Sequence, residues 1–313
     1  MEYRRLGKTD LRVSLLGLGS GGKSKLGQTH GMEQSEITPI VRRALDLGVN
    51  FIDTAPGYDE SEALLGTALE GVPRDSYVMC TKFWPVRKEK VFTAADLHAS
   101  VDRSLKRLKT DTLDVLYLHG VAPKWVEPSL EALYPAMQEV QQAGKVRFLG
   151  ITETFAEDDQ HLTMQAVLPR DLFDVVMVGY NVLSAAPALT VLPLAQQHDV
   201  GVVIMCAVRG VLLNQERIRE VVGEWMDAGL LARDAVPADD PLGWVLGPWA
   251  DTIPTAAYKF AADHAAVSTV LTGTGRVAHL DANAEAILGG KLPPEIVDRL
   301  IQTFGPVSRN ASF

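Results

Sequence analysis

Cysteine and excess positive charge are both scarce in this sequence, and each shortage excludes a class of protein. Only two of the 313 residues are cysteines, Cys80 and Cys206, and both lie inside apolar runs. We expect buried, structural thiols, which are typical of a reducing compartment such as the cytoplasm. The net charge of −9 leaves no dominant basic face, so no nucleic acid or anionic membrane is expected as a partner.

Long hydrophobic runs and metal-binding patterns are absent as well. No run reaches the roughly 18 apolar residues of a membrane span, and the polar start, MEYRRLGKTD, does not resemble a secretory signal. Neither HExxH nor paired CxxC spacing occurs, so no metal site is predicted. Several histidines lie in polar or helical stretches and are expected to be solvated: His98, His161, His198 and His264.

Short β-branched runs alternate with helical stretches along the whole chain. Eight strand-like runs are present, at residues 13–19, 50–53, 77–82, 113–119, 146–151, 173–178, 200–205 and 267–272. The helical stretches between them tend to end at glycines such as Gly48 and Gly144. No linker interrupts the pattern. It predicts a single α/β domain over residues 1–313, a (β/α)8 TIM barrel whose floor is closed by an N-terminal β-hairpin at residues 3–14.

One long irregular stretch, about residues 209–252, separates the seventh and eighth strands. It contains Trp225, Trp244 and Trp249, which is unusual for a bare connection. The stretch could be a surface excursion packed on its own tryptophans. We favour a loop that covers the substrate, because the active sites of barrels are built from the loops that follow the strands.

The glycines after the first strand spell GxGxxG, the fingerprint of a doubly wound dinucleotide-binding sheet. That motif requires a helix that opens inside it and an acid about 20 residues later. Here a loop of about a dozen residues follows, and the next acid at a strand end, Asp53, comes too late. We interpret Gly19 and Ser20 instead as a place where the backbone approaches a ligand at the barrel mouth.

Ionisable residues end three consecutive strands. Asp53 ends the second strand, Lys82 the third and His119 the fourth, while Tyr58 follows on the loop after Asp53. Because the carboxyl ends of barrel strands face one pocket, we expect these four side chains to meet. Lys82 would pair with Asp53 and lower the pKa of Tyr58.

This set of groups suits the chemistry of a carbonyl. Tyr58 would exchange a proton with the carbonyl oxygen, and His119 would orient that oxygen. No side chain supplies a hydride, so a cofactor must. Two other functions remain open: a lyase that forms a Schiff base on Lys82, which a neighbouring Asp53 opposes, and a non-catalytic barrel that keeps its cofactor for regulation.

Five segments of the chain resemble the aldo-keto reductase family: NFIDTAPGYDESEALLG, CTK, LDVLYLH, GKVRFLGI and TGTGRVAHLDANAEA. The resemblance implies a TIM barrel with a nicotinamide cofactor and a catalytic tetrad of Asp53, Tyr58, Lys82 and His119. It also implies a carbonyl reductase or alcohol dehydrogenase whose small-molecule substrate is an aldehyde, ketone, sugar or polycyclic alcohol.

The last of these segments matches the family's site for the adenosine end of the cofactor. Its Gly-rich turn precedes a helix, which suits bound phosphate. Arg276 matches the position that contacts the 2′-phosphate, Asn283 matches the adenine contact, and His279 lies one helical turn after Arg276. NADP(H) is therefore favoured, with NAD(H) as the alternative. The turn that meets the phosphates consists of Thr272, Gly273, Thr274 and Gly275.

The chain departs from the family around the nicotinamide. Thr152 and Glu153 replace a Ser-Asn pair, Met177 replaces a glutamine, and Met205 with Cys206 replaces a stacking aromatic residue. We expect Glu153 to accept a hydrogen bond from the nicotinamide amide. The substrate pocket is predicted to be lined by Phe83, Trp84, Trp125, Tyr180 and the long loop, although Trp84 and Trp125 could simply pack at the rim.

Overall fold

A β-hairpin closes the floor of the molecule in the computed structural model, which describes residues 1–307. Strands β1 (Tyr3–Arg5) and β2 (Arg12–Ser14) pair in antiparallel fashion. Leu6 and Val13 insert among the side chains inside the barrel, and a Cβ at Gly201 would collide with Leu6. The predicted hairpin is thus confirmed, and it acts as an apolar plug.

Eight parallel strands form a closed barrel above this hairpin. β12 closes the ring on β3, and a small hairpin, β6 (Val86–Arg87) with β7 (Lys90–Val91), follows β5 outside it. The predicted TIM barrel is therefore confirmed. The barrel strands are β3 (Leu16–Gly19), β4 (Phe51–Asp53), β5 (Val78–Phe83), β8 (Leu113–Val121), β9 (Val146–Glu153), β10 (Val175–Gly179), β11 (Gly201–Met205) and β12 (Val267–Thr272).

Ten α-helices are described in residues 1–307, and most of them surround the barrel. Gly48 and Gly144 follow the first and fourth helices with φ of 84° and 74°, the left-handed conformation that the sequence predicted. None of these helices has the length and apolar character needed to cross a membrane. They are α1 (Gln34–Asp46), α2 (Ser61–Ala68), α3 (Ala94–Leu108), α4 (Val126–Gln142), α5 (Leu162–Val167), α6 (Val191–Gln197), α7 (Gln215–Asp227), α8 (Ile253–Asp263), α9 (Val277–Leu288) and α10 (Pro294–Phe304).

Alternate residues of each barrel strand point inwards and fill the barrel with apolar side chains. Phe51, Cys80, Tyr117, Met177 and Val203 belong to this buried interior cluster. Cys80 is fully buried, as predicted, whereas Cys206, directly after β11, is only partly buried. Residues of the opposite parity pack against the helices. This alternation determines which residues at the strand ends reach the mouth of the barrel.

The long stretch between β11 and β12 contains α7 and packs on its own tryptophans. Trp225 is buried against Phe304 of α10. The Arg299 guanidinium lies 4.0 Å from the ring centroid of Trp244, and Trp249 donates its indole N–H to the Val245 carbonyl. The tryptophans therefore stabilise the stretch itself. Our expectation of a substrate cover is not supported by them.

Candidate active site

The ends of β4, β5 and β8 bring the four predicted ionisable residues together. Lys82 donates to Asp53 Oδ2 at 2.6 Å and to the Thr54 carbonyl at 2.7 Å. Its Nζ lies 4.9 Å from the ring centroid of Tyr58. The Tyr58 hydroxyl lies 3.4 Å from Nε2 of His119. Asp53 and Lys82 are buried, so water screens their charges little.

Burial determines the protonation of this cluster. It raises the pKa of Tyr58 above the ordinary value of 10, and the Lys82 ammonium offsets only part of that rise. The predicted lowering of the Tyr58 pKa is therefore wrong, because desolvation of the phenolate outweighs the nearby cation. Burial also lowers the pKa of Lys82, but the attraction of Asp53 and Tyr58 outweighs it and raises that pKa overall. At neutral pH the site holds a phenol beside an ammonium.

His119 remains neutral in this environment. Burial, together with the positive charge of Lys82, lowers the pKa of His119 from 6.5 to about 3. A neutral imidazole donates one hydrogen bond and accepts one, which allows it to bind a carbonyl oxygen without adding a charge.

Two neighbours shape the space around the Tyr58 and His119 rings. A Cβ on Gly21 would lie 2.6 Å from the Tyr58 ring, so only glycine lets the loop after β3 cover this phenol. The Trp84 indole is 54% exposed, and its ring centroid lies 4.8 Å from that of His119. Trp84 therefore offers an open aromatic face beside His119, as a substrate-lining residue would. Trp125 lies half-buried at the start of α4, where the Lys124 ammonium approaches its ring.

A cavity of about 580 Å³ lies where the loop after β3 meets the turn after β12. Arg276 reaches this cavity and makes no ion pair within residues 1–307. The Ser24 hydroxyl also lines it and is buried without a hydrogen-bond partner among the described residues. Unpaired donors and a cation fit a bound phosphate group. The lining residues are Ser24, His30, Met32, Gly273, Thr274, Gly275, Arg276 and His279.

Close backbone contacts form the walls of this cavity. A Cβ on Gly273 would lie 3.2 Å from the Gly19 carbonyl, and one on Gly275 would lie 2.7 Å from Gly27 Cα. The Ser20 hydroxyl is buried beside Gly19 and has no partner among residues 1–307. The predicted glycines thus allow two loops to approach each other.

Thr272 and Asn283 lie behind the cavity. Asn283 donates its amide N–H to Thr272 Oγ1 at 2.6 Å, and the same oxygen lies 2.9 Å from the Tyr258 hydroxyl. The Thr272 side chain is therefore occupied by protein partners and points away from the barrel axis. Asn283 is only partly buried and keeps its amide oxygen free of described partners.

Glu153 does not face the mouth of the barrel. Both of its carboxylate oxygens lie 2.9 Å from Nδ1 of His161, and Oε1 accepts the backbone N–H of Gly179 at 2.9 Å. The side chains of Glu153 and His161 are both 0% exposed. A bound nicotinamide could not reach this carboxylate, so the predicted amide contact is wrong. The prediction of a solvated His161 is wrong for the same reason.

Tyr180 also lies outside the pocket. It is 1% exposed and stacks at 4.8 Å on Phe260 of α8, in the layer between barrel and helices. The prediction that it contacts substrate is wrong. The sequence contained the signal that was missed, because Met177 and Gly179 point inwards, and period-two alternation then turns Tyr180 outwards. The same alternation turns Glu153 outwards once Thr152 points inwards.

Comparison with known proteins identifies the family of this chain. The sequence profile described as "Aldo/keto reductase family" matches residues 16–302. The chain belongs to the aldo/keto reductase family. An L-galactose dehydrogenase of Arabidopsis thaliana is 29% identical over 292 residues, covering 92% of this chain and 88% of the relative. A D-threo-aldose 1-dehydrogenase of a Pseudomonas species is 28% identical over 304 residues, covering 88% of this chain and 89% of the relative.

A solved structure also has the same fold. The aldo/keto reductase from Klebsiella pneumoniae in complex with NADP and acetate superposes with a TM-score of 0.67, covering 99% of this chain and 98% of that one at 22% identity. At this level of identity, the structural similarity supports only the (β/α)8 barrel fold. The family match and the dehydrogenase relatives together make this aldo/keto reductase an NAD(P)H-dependent oxidoreductase.

Sequence reasoning missed two parts of the site of this aldo/keto reductase. Gly21, which lies on Tyr58, was not named, although it stands inside the glycine-rich stretch that the sequence singled out. Ser24, His30 and Met32 were also missed, because nothing local indicates that residues so early in the chain meet the turn after the last strand.

Proposed function

We propose that this aldo/keto reductase transfers a hydride between NADP(H) and the carbonyl or alcohol carbon of a small molecule, with a sugar as the favoured substrate among aldehydes, ketones, sugars and polycyclic alcohols. The observation that carries the proposal is the buried Asp53–Lys82 pair beside Tyr58 and His119. Two relatives are named as sugar dehydrogenases, and the exposed Trp84 face beside His119 would stack on a sugar ring.

Each residue of the site has a separate role in the reduction of a carbonyl group. The nicotinamide cofactor, when bound, supplies the hydride that adds to the carbonyl carbon. Neutral His119 donates a hydrogen bond to the carbonyl oxygen and orients it. Tyr58, which keeps its proton at neutral pH, transfers that proton to the same oxygen. The Lys82 ammonium stabilises the phenolate left on Tyr58, and Asp53 keeps Lys82 in place.

The alternative of a lyase is not favoured by the geometry. A Schiff base needs an uncharged amine, whereas the Lys82 ammonium donates to Asp53 and Thr54 and has a raised pKa. A purely regulatory barrel would bind the cofactor but turn over no substrate.

Replacing Tyr58 tests the proposed chemistry. Tyr58→Phe should lower kcat for sugar or aldehyde substrates by about 10²–10⁴-fold, because the proton donor is lost. The Kd for NADPH, measured by fluorescence titration, should remain within about twofold of that of the wild type. Tyr134→Phe is the matched control, since it removes a hydroxyl that donates only to the Leu172 carbonyl.

Three outcomes would count against this assignment. More than about a tenth of wild-type activity in Tyr58→Phe would remove Tyr58 from the role of proton donor. Wild-type protein that binds NADPH but reduces no carbonyl compound would favour the regulatory barrel. Covalent trapping of substrate on Lys82 by borohydride would favour the lyase.

The choice of cofactor rests on Arg276, which lines the cavity beside the turn after β12 and forms no ion pair with any other residue of the range 1–307. Arg276→Ala should weaken NADPH by about 10–100-fold and NADH hardly at all, because a charge-assisted bond to phosphate contributes roughly 1.5–3 kcal/mol. The control Arg43→Ala removes a cation of α1 that already pairs with Asp281 of α9, the helix that Arg276 precedes, at 2.8 Å. Equal weakening of both cofactors by Arg276→Ala would show that Arg276 does not contact the 2′-phosphate.

A further inference from the structure

Strand β8 contains a β-bulge directly after Tyr117 and Leu118. Leu118 pairs with Ile151 of β9, and the next pair along the ladder is Val121 with Glu153. Two residues of β8, His119 and Gly120, therefore stand opposite the single residue Thr152. Gly120 adopts a left-handed φ of 63°. The bulge changes the phase of the strand after His119, because Val121, four residues after the inward Tyr117, packs in the outer core between barrel and helices. His119 is therefore the last inward residue of β8, and the bulge begins at its C-terminal side.

A bulge removes backbone groups from the regular ladder, and their hydrogen bonds must be made elsewhere. Two threonine hydroxyls supply them for Gly120. Its N–H donates to Thr152 Oγ1 at 2.7 Å, and its carbonyl accepts from Thr154 Oγ1 at 2.6 Å. Both polar groups of the residue that follows His119 are thus held by Thr152 of β9 and by Thr154, the residue directly after the end of β9.

Glu153, the buried residue between these two threonines, restrains the backbone at the end of β9. Glu153 is tied to His161 and to the backbone of Gly179. The Thr154 N–H also donates to the Val121 carbonyl at 3.2 Å. The two hydroxyls that hold Gly120 are therefore attached to a backbone that has little freedom to move.

From this arrangement we infer that Thr154 is a positioning residue for His119. Its hydroxyl, together with that of Thr152, holds the bulge in the conformation that places the His119 ring between Tyr58 and Trp84. The inference rests on the proposed function, in which His119 orients the carbonyl. A displacement of about 1 Å in such a group can reduce the rate by 10²-fold.

Thr154 allows a cleaner test than Thr152, because Thr152 points into the barrel mouth and a change there would also alter the ligand site. Thr154→Val keeps the shape of the side chain and removes the hydroxyl. It should lower kcat by at least about tenfold while the Kd for NADPH stays within about twofold. Thr154→Ser restores the donor and should keep kcat within about threefold of the wild type.

Thr163→Val is the matched control. The Thr163 hydroxyl donates to the Val121 carbonyl at 3.1 Å, one residue beyond Gly120. Its removal takes away a similar hydrogen bond from the same strand without touching the bulge, so kcat should stay within about threefold. Equal losses of kcat in Thr154→Val and Thr163→Val, or no loss in Thr154→Val, would overturn the inference.

A double variant shows whether Thr154 acts through His119. In the His119→Ala background, where the positioned ring is missing, Thr154→Val should cause no further loss of kcat. A further loss by the same factor as in the wild type would overturn the inference. Full activity of His119→Ala alone would instead refute the proposed role of His119. An inactive His119→Ala beside a fully active Thr154→Val would refute only the positioning role of Thr154.

Discussion

The rim of the barrel carries two buried pairs of an acidic and a basic side chain, one on each side of β8. Asp53 and Lys82 join β4 to β5 at 2.6 Å, and Glu153 and His161 join β9 to the start of α5 at 2.9 Å. All four side chains are almost completely buried, yet only the first pair touches Tyr58 and the mouth. The second pair lies between the barrel and its helices and holds the backbone of Gly179.

The difference between the pairs shows that burial of a charge does not by itself identify a catalytic group. Asp53 and Lys82 occupy inward positions of their strands, whereas Glu153 follows an inward residue and must point outwards. A charge on the inner face can act on a ligand. A charge on the outer face stabilises the connection between a strand and its helix, provided that it finds a partner there.

The largest effect is expected from breaking the pair at the mouth. Lys82→Met leaves the Asp53 carboxylate buried without its cation, which should lower the free energy of unfolding by about 3–5 kcal/mol and abolish measurable turnover. Urea unfolding and steady-state kinetics measure the two effects. The control Lys145→Met removes the cation of the exposed pair with Asp102 and should cost less than about 1 kcal/mol. A Lys82→Met variant with near-normal kcat would show that the Asp53–Lys82 pair, like the Glu153–His161 pair, is not needed for catalysis.

Breaking the outer pair should affect stability alone. Glu153→Gln keeps an acceptor for the Gly179 N–H but removes the charge beside His161, so the free energy of unfolding should fall by about 1–3 kcal/mol. We expect kcat to remain within about threefold and the ratio of NADP+ to NADPH affinity to stay unchanged, because the side chain cannot reach the ring. The exposed pair of His98 with Glu139 provides the control Glu139→Gln. A loss of kcat like that of Lys82→Met would mean that Glu153 acts on the mouth after all.

The smallest expected effect is on the pH dependence of the free energy of unfolding, through the imidazole of His119 beside the Asp53–Lys82 pair. Its pKa is about 3 when folded and near 6.5 when unfolded, so the unfolded chain binds the proton more tightly. The stability that neutral His119 contributes is complete above pH 6.5 and is lost as the pH falls towards 3. Between pH 7 and pH 5 the wild type should lose about 2 kcal/mol more than His119→Ala in urea unfolding. Equal losses in the two proteins would show that His119 titrates normally.

The alternation of apolar residues made the barrel predictable from the sequence. Seven of the eight strand-like runs match a barrel strand to within two residues at each end, and the first, 13–19, joins the end of β2 to β3. Asp53, Lys82 and His119 were located because strand ends of a barrel share one pocket. The run predicted at 113–119 is two residues short of β8. Gly120 and the bulge account for the difference, because a left-handed residue interrupts the pattern from which strands are recognised.

Thus the sequence by itself determined the fold, the cluster of four ionisable residues and the Gly-rich turn before α9, since each follows from the order of residues along single strands or loops. Only the tertiary structure decided that Glu153 pairs with His161, that Ser24 and His30 line one cavity with Arg276, and that burial raises the pKa of Tyr58. Those outcomes depend on which distant segments exclude water from a group and which of them supply its partner. Neither the loss of solvent nor the path of a loop is encoded in the residues next to that group.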